Sequence, residues 1–381
     1  MKIIIKTSTL QEILDLASRF VSKHSTLPVL ENIYIKGHID TLIFRATDME
    51  KYINIEIPAK IDTEWSITIN AKTFTDIART IDTEEIELFV DETKDIMTIK
   101  TSLDEFKIKW IPATEYVAVP EVSGWTSVQI NASHFSKWVS KIDFAVSERG
   151  FSPILTGILL RLKKYDDGNK LVFVGTDTFR LAEYKIKYDG DAGNMDIIVP
   201  KVNVGDIKKV AEYCISKWIE NMTVNFSENL VSFLFEIDWM KILTTSLLIQ
   251  WNFPEYENEN IIPTKHNTKF LIDKNSLDLA IRKILILTRD INNFIDMTVD
   301  TSKISVKSWE TDMGEWNTAI DAVVEWEPIN FGINGKFISD FIKSCEWSNL
   351  SINIVDSIKP VVFKDKDDEN FVYIVRPLAK K

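Results

Sequence analysis

A short pattern first appears as Ile69-Asn70-Ala71-Lys72-Thr73-Phe74-Thr75-Asp76-Ile77-Ala78. It holds an apolar run, a short break, a lysine, and apolar residues that bracket an aspartate. The pattern returns as Val199-Pro200-Lys201-Val202-Asn203-Val204-Gly205-Asp206-Ile207-Lys208 and as Ile333-Asn334-Gly335-Lys336-Phe337-Ile338-Ser339-Asp340-Phe341-Ile342. The copies lie roughly 130 residues apart, and each is typical of a strand that leads into a helix. Because 381 residues are too many for one compact core, the pattern predicts three copies of one domain.

Other elements recur at the same spacing. Pairs of short apolar runs predict strand pairs at 28–35 and 42–48, at 153–160 and 171–177, and at 294–299 and 304–307. An apolar stripe at helical spacing precedes each pair, in 10–21, 135–142 and 277–285. Each repeat is therefore predicted to be an α+β unit, in which two amphipathic helices cover antiparallel sheet.

Two polar, turn-rich stretches, 120–124 and 255–268, indicate linkers between the repeats. They predict domains at residues 1–125, 126–265 and 266–381. A chain that repeats a whole domain is more typical of an extended or closed surface than of a single catalytic pocket.

The composition is typical of a cytoplasmic protein. Hydrophobic residues make up 45% of the chain and charged residues 27%, which is enough for three cores and a wet surface. No apolar run is long enough for a signal peptide or a membrane span. The two cysteines, Cys214 and Cys345, fall on equivalent predicted helices, and we expect both to be buried and reduced.

Searches for catalytic motifs give no candidate. The chain has no phosphate-binding glycine loop, no Gly-x-Ser-x-Gly and no His-Glu-x-x-His. The four histidines (His24, His38, His134 and His266) lack metal-ligand spacing. The acidic run 365–369 lies between two apolar strands, so we interpret it as a charged hairpin loop and not as a cation site. We expect no catalytic residue, no metal and no cofactor.

The charge distribution separates the helices from the rest of the chain. The whole chain carries 45 basic and 57 acidic residues, a net charge of -12. The six predicted helical segments, 8–23, 71–81, 133–149, 201–217, 274–289 and 336–346, carry 17 basic and 10 acidic residues. Lysine and arginine are good helix formers on any solvated face, which is one explanation. The other is that the helices together face a polyanion while the remaining surface repels it.

Landmarks along the whole chain resemble the bacterial DNA polymerase sliding clamp, the beta subunit of the replicative polymerase III. They are Thr26-Leu27-Pro28-Val29-Leu30, Thr47-Asp48-Met49-Glu50, Leu155-Thr156-Gly157, Thr176-Asp177-Thr178-Phe179-Arg180-Leu181-Ala182, Val199-Pro200-Lys201, Phe253-Pro254-Glu255-Tyr256 and Tyr373-Ile374-Val375-Arg376-Pro377-Leu378. Each is weak alone, and their order and spacing carry the resemblance.

The resemblance implies a non-enzymatic processivity factor. In this family two chains associate head to tail as a homodimer and close a ring around duplex DNA, with helices lining the hole. Basic side chains on those helices contact phosphates without reading bases, so the ring slides. A clamp loader places the ring on DNA, and the replicative polymerase and repair factors are tethered through short apolar motifs. The alternative is a repeat scaffold that binds partner peptides without encircling DNA.

The resemblance also implies a partner-peptide pocket between the second and third domains. Its expected residues are Leu155, Thr176, Phe179, Arg180, Leu181, Pro254, Ile358, Pro360, Ile374, Val375, Arg376, Pro377 and Leu378. Three residues depart from the family pattern. Thr178 stands where glycine is usual, Phe179 where histidine is common, and Arg376 at a position that is usually apolar.

Two further sets come from the same resemblance. The candidate DNA-binding residues are Lys137, Lys141, Arg149, Lys201, Lys208, Lys209, Arg282, Lys283, Lys336 and Lys343. The candidate dimer-interface residues are Phe106 and Ile108 on an edge strand, and Ile286 and Leu287 on a helix.

Overall fold

The computed structural model describes residues 2–61, 63–91, 93–117, 126–148, 152–188, 190, 193–237, 239–309 and 314–378. The helices in this part of the chain are α1 (Thr7–Ala17), α2 (Ala71–Thr80), α3 (Ala132–Ile142), α4 (Lys201–Ser216), α5 (Lys274–Thr288) and α6 (Gly335–Ser344). None of them is both long and apolar enough to cross a membrane. The predicted linker 120–124 and the candidate Arg149 lie outside the described residues.

The strands fall into three sets along the chain. The first set is β1 (Lys2–Lys6), β2 (Asn32–His38), β3 (Thr41–Thr47), β4 (Lys51–Pro58), β5 (Trp65–Asn70), β6 (Glu85–Asp91), β7 (Ile96–Lys100), β8 (Glu105–Lys109) and the short β9 (Ile111–Pro112). The second is β10 (Thr126–Asn131), β11 (Gly157–Tyr165), β12 (Gly168–Thr176), β13 (Arg180–Lys187), β14 (Met195–Pro200), β15 (Asn221–Phe226), β16 (Leu230–Ile237) and β17 (Met240–Leu247). The third is β18 (Thr268–Asp273), β19 (Phe294–Val299), β20 (Lys303–Lys307), β21 (Asn317–Trp326), β22 (Ile329–Asn334), β23 (Asn349–Ile354), β24 (Val361–Asp365) and β25 (Phe371–Val375).

The element order confirms the predicted threefold repeat. One strand, a helix, four strands, a helix and three strands follow one another in each set, and β9 is an addition to the first. The pattern quoted at the outset is the step from the fourth strand of each group of four into the second helix, as in β5 to α2. Asn70 and Asn334 form the break, because each side chain accepts a backbone N–H of the helix that follows and so caps it.

Two helices end earlier than the predicted helical segments 8–23 and 133–149. Helix α1 ends at Ala17, where the chain turns and the N–H of Phe20 bonds to the carbonyl of Ala17. Phe20 is nevertheless fully buried, so the stripe reports burial beyond the end of the helix. Helix α3 ends at Ile142 and continues as the single 3-10 turn Asp143–Ala145.

Contacts group the chain into two compact units, Met1–Ser136 with Val202–Leu248, and Lys137–Lys201 with Ile249–Lys381. The first unit holds two sheets, with strand orders β1-β6-β7-β8 and β10-β15-β16-β17-β4-β3-β2-β5-β9. The second holds one sheet in the order β14-β11-β12-β13-β25-β24-β23-β18-β21-β20-β19-β22. All pairings are antiparallel, as the alternating patterns predicted.

Two of these pairings join strands of different repeats. In the first unit β17 pairs with β4, which we call the first joint. In the second unit β25 pairs with β13, which we call the second joint. Each joint places the last strand of one repeat beside the third of four strands in the preceding repeat. The two joints therefore have the same topology.

Candidate functional site

A cavity of about 430 Å³ opens at the second joint, within the second unit. One wall is the end of β12 and the start of β13, including Phe179 and Leu181. A second wall comes from β25 and the loop before β24, with Ile358 and Ile374. The segment that follows the second repeat supplies the third wall, including Tyr256. The lining is mainly apolar, as in a site for a small or extended ligand.

The turn Thr176–Arg180 sets the shape of the first wall. The Thr176 hydroxyl donates to the Arg180 carbonyl at 2.7 Å, and the Asp177 carboxylate accepts the N–H groups of Phe179 and Arg180, both at 3.0 Å. Thr178 has a φ of 78°, in the left-handed region that glycine adopts most easily. The turn therefore holds Phe179 outward, with 55% of its surface exposed.

Arg180 ties this turn to helix α6. Its guanidinium donates to Asp177 at 2.9 Å and to Asp340 at 2.8 Å, and it lies 4.3 Å from the centre of the Phe337 ring. The carboxylates neutralise the Arg180 charge, and the ring covers one face of the group. Arg180 is thus a structural member of the cavity wall and is not free to bind a ligand carboxylate.

Glu257 fixes the third wall to the sheet. Its carboxylate accepts hydrogen bonds from Lys163, Tyr165 and Lys185 and also pairs with Arg161 at 3.3 Å. Burial would raise the pKa of Glu257, but the donors and nearby cations outweigh burial and lower it to about 2. The neighbouring Tyr256 is 2% exposed and packs on the core of this sheet, so the wall is anchored by both residues.

Ten of the thirteen residues predicted for the peptide pocket line this cavity. They are Leu155, Thr176, Phe179, Arg180, Leu181, Pro254, Ile358, Pro360, Ile374 and Arg376. Val375, Pro377 and Leu378 do not line it, and Val375 has no exposed surface. Successive side chains of a strand point to opposite faces, so Ile374 and Arg376 reach the cavity and Val375 does not.

Six further residues line the cavity without having been predicted from the sequence: Thr178, Phe253, Tyr256, Asn260, Ile261 and Lys359. Three of them, Tyr256, Asn260 and Ile261, belong to the stretch that was predicted to be a linker. The landmark Phe253-Pro254-Glu255-Tyr256 was the available signal, because two aromatic residues in a polar stretch indicate burial.

The cavity has cations at its mouth and no carboxylate among its lining residues. Arg376 and Lys359 are both exposed, and neither makes an ion pair within the described residues. The N–H of Arg376 donates to the Phe179 carbonyl at 2.9 Å, which fixes the backbone beneath the guanidinium. The site therefore combines an apolar interior with positive charge at one edge.

The structure corrects one predicted DNA contact. Lys141 is only 2% exposed, and its ammonium donates to Asp368 at 2.6 Å and lies 4.9 Å from the centre of the Phe371 ring. A buried, paired lysine cannot reach a phosphate without leaving its carboxylate unpaired. The same contact corrects the interpretation of 365–369, because Asp365 and Asp368 of this hairpin are buried instead of solvated.

The other candidates on the helices are at least partly exposed. Five are exposed: Lys209, Arg282, Lys283, Lys336 and Lys343. Three are half-buried: Lys137, Lys201 and Lys208. Several share their charge with a carboxylate of the same helix, such as Arg282 with Asp278 and Lys209 with Glu212. These surface pairs are weak and exchange readily for other anions.

Of the four predicted interface residues, Ile108 is buried and the other three keep exposed surface. Phe106 and Ile108 lie on β8, which has one strand neighbour, β7, in the described chain. Ile286 is 62% exposed on α5, while Leu287 is half-buried. The described residues contain no group of three or more His, Cys, Asp or Glu side chains placed to hold a metal ion.

Three family models match the chain in succession. The N-terminal domain of the DNA polymerase III beta subunit matches residues 1–120, the central domain residues 129–255 and the C-terminal domain residues 259–379. Among curated proteins, the beta sliding clamps of Staphylococcus epidermidis and Staphylococcus aureus are each 24% identical over 369 residues, which is 94% of both chains.

Solved structures share the fold over their whole length. The DNA polymerase III beta subunit of Thermotoga maritima has a TM-score of 0.89 at 22% identity, and the sliding clamp of Bacillus subtilis has 0.89 at 23%. A sliding clamp from Bartonella birtlesii, solved with griselimycin bound, has 0.90 at 22%. In each case all of both chains is covered. With all three domain models matched in order, the chain belongs to the DNA polymerase III beta subunit family, the bacterial sliding clamps.

Proposed function

We propose that two copies of this chain close a ring around duplex DNA and act as a processivity factor without catalytic activity of their own. The observation that carries this proposal is the twice-repeated joint. The last strands of the second and third repeats pair with β4 and β13. Their counterparts are β8, the last strand of the first repeat, and β21, the third of four strands in the third repeat. Pairing β8 of one copy with β21 of another closes the ring head to tail.

Two features support this closure. Residues 317–321 of β21 pair only with β20, so one edge of this stretch has no partner among the described strands. Unpaired edges invite association, and the apolar Phe106 and Ile286 supply buried area beside them.

We also propose that the chain comprises three domains, residues 1–125, 126–265 and 266–381.

The exposed cations on the helices are proposed to contact DNA phosphates. Such contacts do not depend on sequence, so every position along the duplex is nearly equivalent and the ring can slide. In the cytoplasm a clamp loader would open and place the ring, and polymerase and repair factors bound to it would gain a high effective concentration at the DNA.

A retention assay tests the enclosure. The ring is loaded on nicked circular DNA with the clamp loader and ATP, and we expect it to stay until the circle is cut and then to run off the ends. Reversing Lys209, Arg282, Lys283 and Lys343 to glutamate should reduce loading at 50 mM salt severalfold. The matched control reverses the exposed Lys164, Lys187, Lys265 and Lys366, which lie outside the helices and away from β8 and β21 in the sequence. Equal loss in both variants, or equal retention on cut DNA, contradicts the proposal.

The cavity at the second joint is proposed to bind a short partner peptide with Leu or Phe anchors. Its apolar interior fits such side chains. The cations Arg376 and Lys359 at its edge favour a peptide that also carries a carboxylate beside an anchor. We therefore expect a polymerase or repair motif that is both apolar and acidic.

Paired peptides test the carboxylate preference. Six-residue capped peptides with Leu and Phe anchors carry aspartate or asparagine at each remaining position in turn, and calorimetry gives the Kd. At the preferred position we expect aspartate to bind about fivefold tighter than asparagine. Arg376→Met should remove that difference while it leaves binding of the asparagine peptide intact. If the difference persists in Arg376→Met, then the arginine is not the contact.

A further inference from the structure

A second cavity, of about 340 Å³, lies within the first unit, between β1 and the end of β4. Residues 2–5 of β1 form one side of it, and Leu42 and residues 57–60 form the other. It shares no lining residue with the cavity at the second joint. Because consecutive residues of one strand line it, the backbone edge of β1 faces the cavity together with its side chains.

This edge of β1 has no strand beside it. β1 lies at the end of its sheet and pairs with β6 alone in the described chain. The N–H of Thr7 donates to the Glu84 carbonyl at 3.0 Å, and backbone bonds between antiparallel strands fall on alternate residues. Ile5 and Ile3 therefore bond to β6, whereas the N–H and carbonyl of Ile4 point to the free edge. An edge of this kind can accept a further strand through main-chain hydrogen bonds.

The third repeat fills the equivalent position with its own chain. Its first strand, β18, pairs with β23 on one side and with residues 322–326 of β21 on the other. β4 corresponds to β21 as the third of four strands, but it ends at Pro58, which has no N–H to offer a neighbour. The chain then bonds away from β1, since the N–H of Ala59 donates to the Asp40 carbonyl at 2.9 Å. The first repeat thus leaves open a strand position that the third repeat occupies.

The side chains along the edge favour an acidic occupant. β1 places Lys2, Ile4 and Lys6 on its exposed face, and Ile4 is 57% exposed. A second copy of β1 laid antiparallel about Ile4 would set Lys2 against Lys6 twice, and like charges directly opposite destabilise a strand pair. Lys2 pairs with Glu87 at 2.7 Å, but this exposed pair exchanges readily for another anion. Across the cavity, Lys60 is exposed and has no ion pair within the described residues.

We propose that the free edge of β1 binds an extended acidic segment of a partner protein as an added antiparallel strand. The segment carries an apolar residue opposite Ile4 and a carboxylate two positions to either side, opposite Lys2 and Lys6. Its backbone bonds to the N–H and carbonyl of Ile4, and Lys60 adds a cation from the other side of the cavity. The site requires neither the ring nor the cavity at the second joint.

A designed peptide tests the added strand. The probe is the capped, dye-labelled sequence Thr-Glu-Val-Ile-Val-Glu-Thr, and fluorescence anisotropy follows its binding to the full chain at 50 mM NaCl. We expect it to bind at least about fivefold tighter than the same peptide with glutamine in place of both glutamates. That difference should shrink at 500 mM NaCl, where charges are screened. Methylating the nitrogen of the central isoleucine removes a donor that faces Ile4, and it should weaken binding about tenfold.

Variants of the chain locate the probe. Ile4→Pro removes an N–H that the pairing of β1 with β6 does not use, and it should weaken binding of the probe about tenfold. Lys60→Glu should remove most of the preference for glutamate over glutamine. The matched control is Lys23→Glu, an exposed lysine that does not line the cavity, and it should keep the preference. Leu181→Ala at the second joint should leave binding of the probe unchanged. Circular dichroism and melting confirm that each variant is folded, and Lys60→Glu and the methylated peptide decide if Ile4→Pro is not.

Four results overturn the proposal. The first is equal affinity for the glutamate and glutamine peptides, and the second is an equal loss of preference in Lys60→Glu and Lys23→Glu. The third is loss of binding in Leu181→Ala, which would place the probe in the cavity at the second joint. The fourth is a change of oligomeric state in Ile4→Pro without any binding of the probe, which would make a second copy of the chain the occupant of the edge. The retention assay on circular DNA tests the ring separately from all four.

Discussion

The turns at the two joints, residues 47–51 and 176–180, share their backbone conformation and hydrogen bonds but present different side chains. Met49 and Thr178 occupy equivalent positions with φ angles of 77° and 78°. Thr47, like Thr176, uses its hydroxyl to bind the carbonyl of the basic residue four positions later, at 2.8 Å and 2.7 Å respectively. A strand from the following repeat donates one N–H to each turn, at 2.8 Å from Leu247 and 2.9 Å from Arg376. The repeated scaffold thus fixes the turn without fixing what the turn presents.

The side chains that the two turns present leave different amounts of room at the two joints. At the second joint Leu181 and the exposed Phe179 line the cavity. Their equivalents at the first joint are Tyr52, whose hydroxyl donates back to the Met49 carbonyl at 3.1 Å, and the charged Glu50. A bulky tyrosine that closes on its own turn leaves less room than a leucine does. The room at two duplicated joints can therefore differ through side-chain changes alone.

Removing the basic residue of each turn, Lys51 or Arg180, should have the largest effect on stability, and the loss should be similar at the two joints. Arg180→Met removes the cation paired with Asp177 and one of the two paired with Asp340, and Lys51→Met removes the cation paired with Asp48 and Asp206. Because each change removes one side of a largely buried ion pair, we expect each to cost about 3 kcal/mol. Both variants should melt at clearly lower temperature in a thermal scan. The surface control, Arg282→Met, loses a pair whose arginine is 66% exposed and should cost less than about 0.5 kcal/mol. A melt of Arg180→Met that matches this control would show that the bridge is not structural.

Truncating the residue after the basic one, Leu181 or Tyr52, should affect peptide binding at the second joint and not at the first. Leu181→Ala removes apolar surface from the cavity wall, so we expect peptide affinity to fall about tenfold, or about 1.4 kcal/mol. Tyr52→Ala at the first joint should leave the peptide Kd unchanged. Calorimetry with one peptide that contains Leu and Phe anchors compares the two variants directly. Equal losses would place the peptide elsewhere or reveal a shared structural effect.

The smallest expected effect is on the pH dependence of stability, and it comes from Glu257 in the segment that forms the third wall of the cavity. Tyr116 of the first unit, whose hydroxyl lies 3.4 Å from the Arg45 carbonyl, is followed by Val117, whereas Tyr256 is followed by Glu257. The folded pKa of Glu257 is about 2, below its ordinary value, so its contribution is present above about pH 4.5 and is lost as the pH falls towards 2. Glu257→Gln should cost about 1 kcal/mol at pH 7, because the network is partly exposed to solvent.

Melting curves from pH 7 down to pH 2 check this expectation. The difference between wild type and Glu257→Gln should close towards the acid end. The control is Val117→Glu, which places a glutamate directly after Tyr116 in the first unit and should not create a comparable acid dependence. A constant difference at all pH values would mean that the glutamate acts through packing and not through its charge.

Much of the fold follows from local patterns in the sequence. The recurring Asn70 and Asn334 predict where strand leads into helix, because an asparagine cap acts within three residues of itself. Strand pairs were predicted for the same reason, since alternation and short turns are local signals. The α+β class and the threefold repeat are confirmed by the observed element order.

The predictions that were wrong or incomplete concern residues whose role depends on partners distant in sequence or on the direction of a side chain. Lys141 looks like any helical lysine, and its partner Asp368 lies 227 positions later in the chain. Tyr256 enters the cavity from a stretch whose polarity predicts a linker. Val375 was assigned to the pocket with its neighbours, although the two-residue period of a strand could have separated it from Ile374. Side-chain direction in a strand is readable from sequence, whereas a long-range ion pair is not.

The two buried cysteines have a practical consequence for labelling. Burial raises the pKa of both the Cys214 and the Cys345 thiols to about 12, so at neutral pH neither forms an appreciable amount of the reactive thiolate. Both are free of disulfides; Cys214 lies within α4, and Cys345 directly follows α6. A cysteine introduced on an exposed strand should therefore react with a maleimide dye far faster than either native thiol. The native chain can serve as its own cysteine-light background for watching subunits part and rejoin.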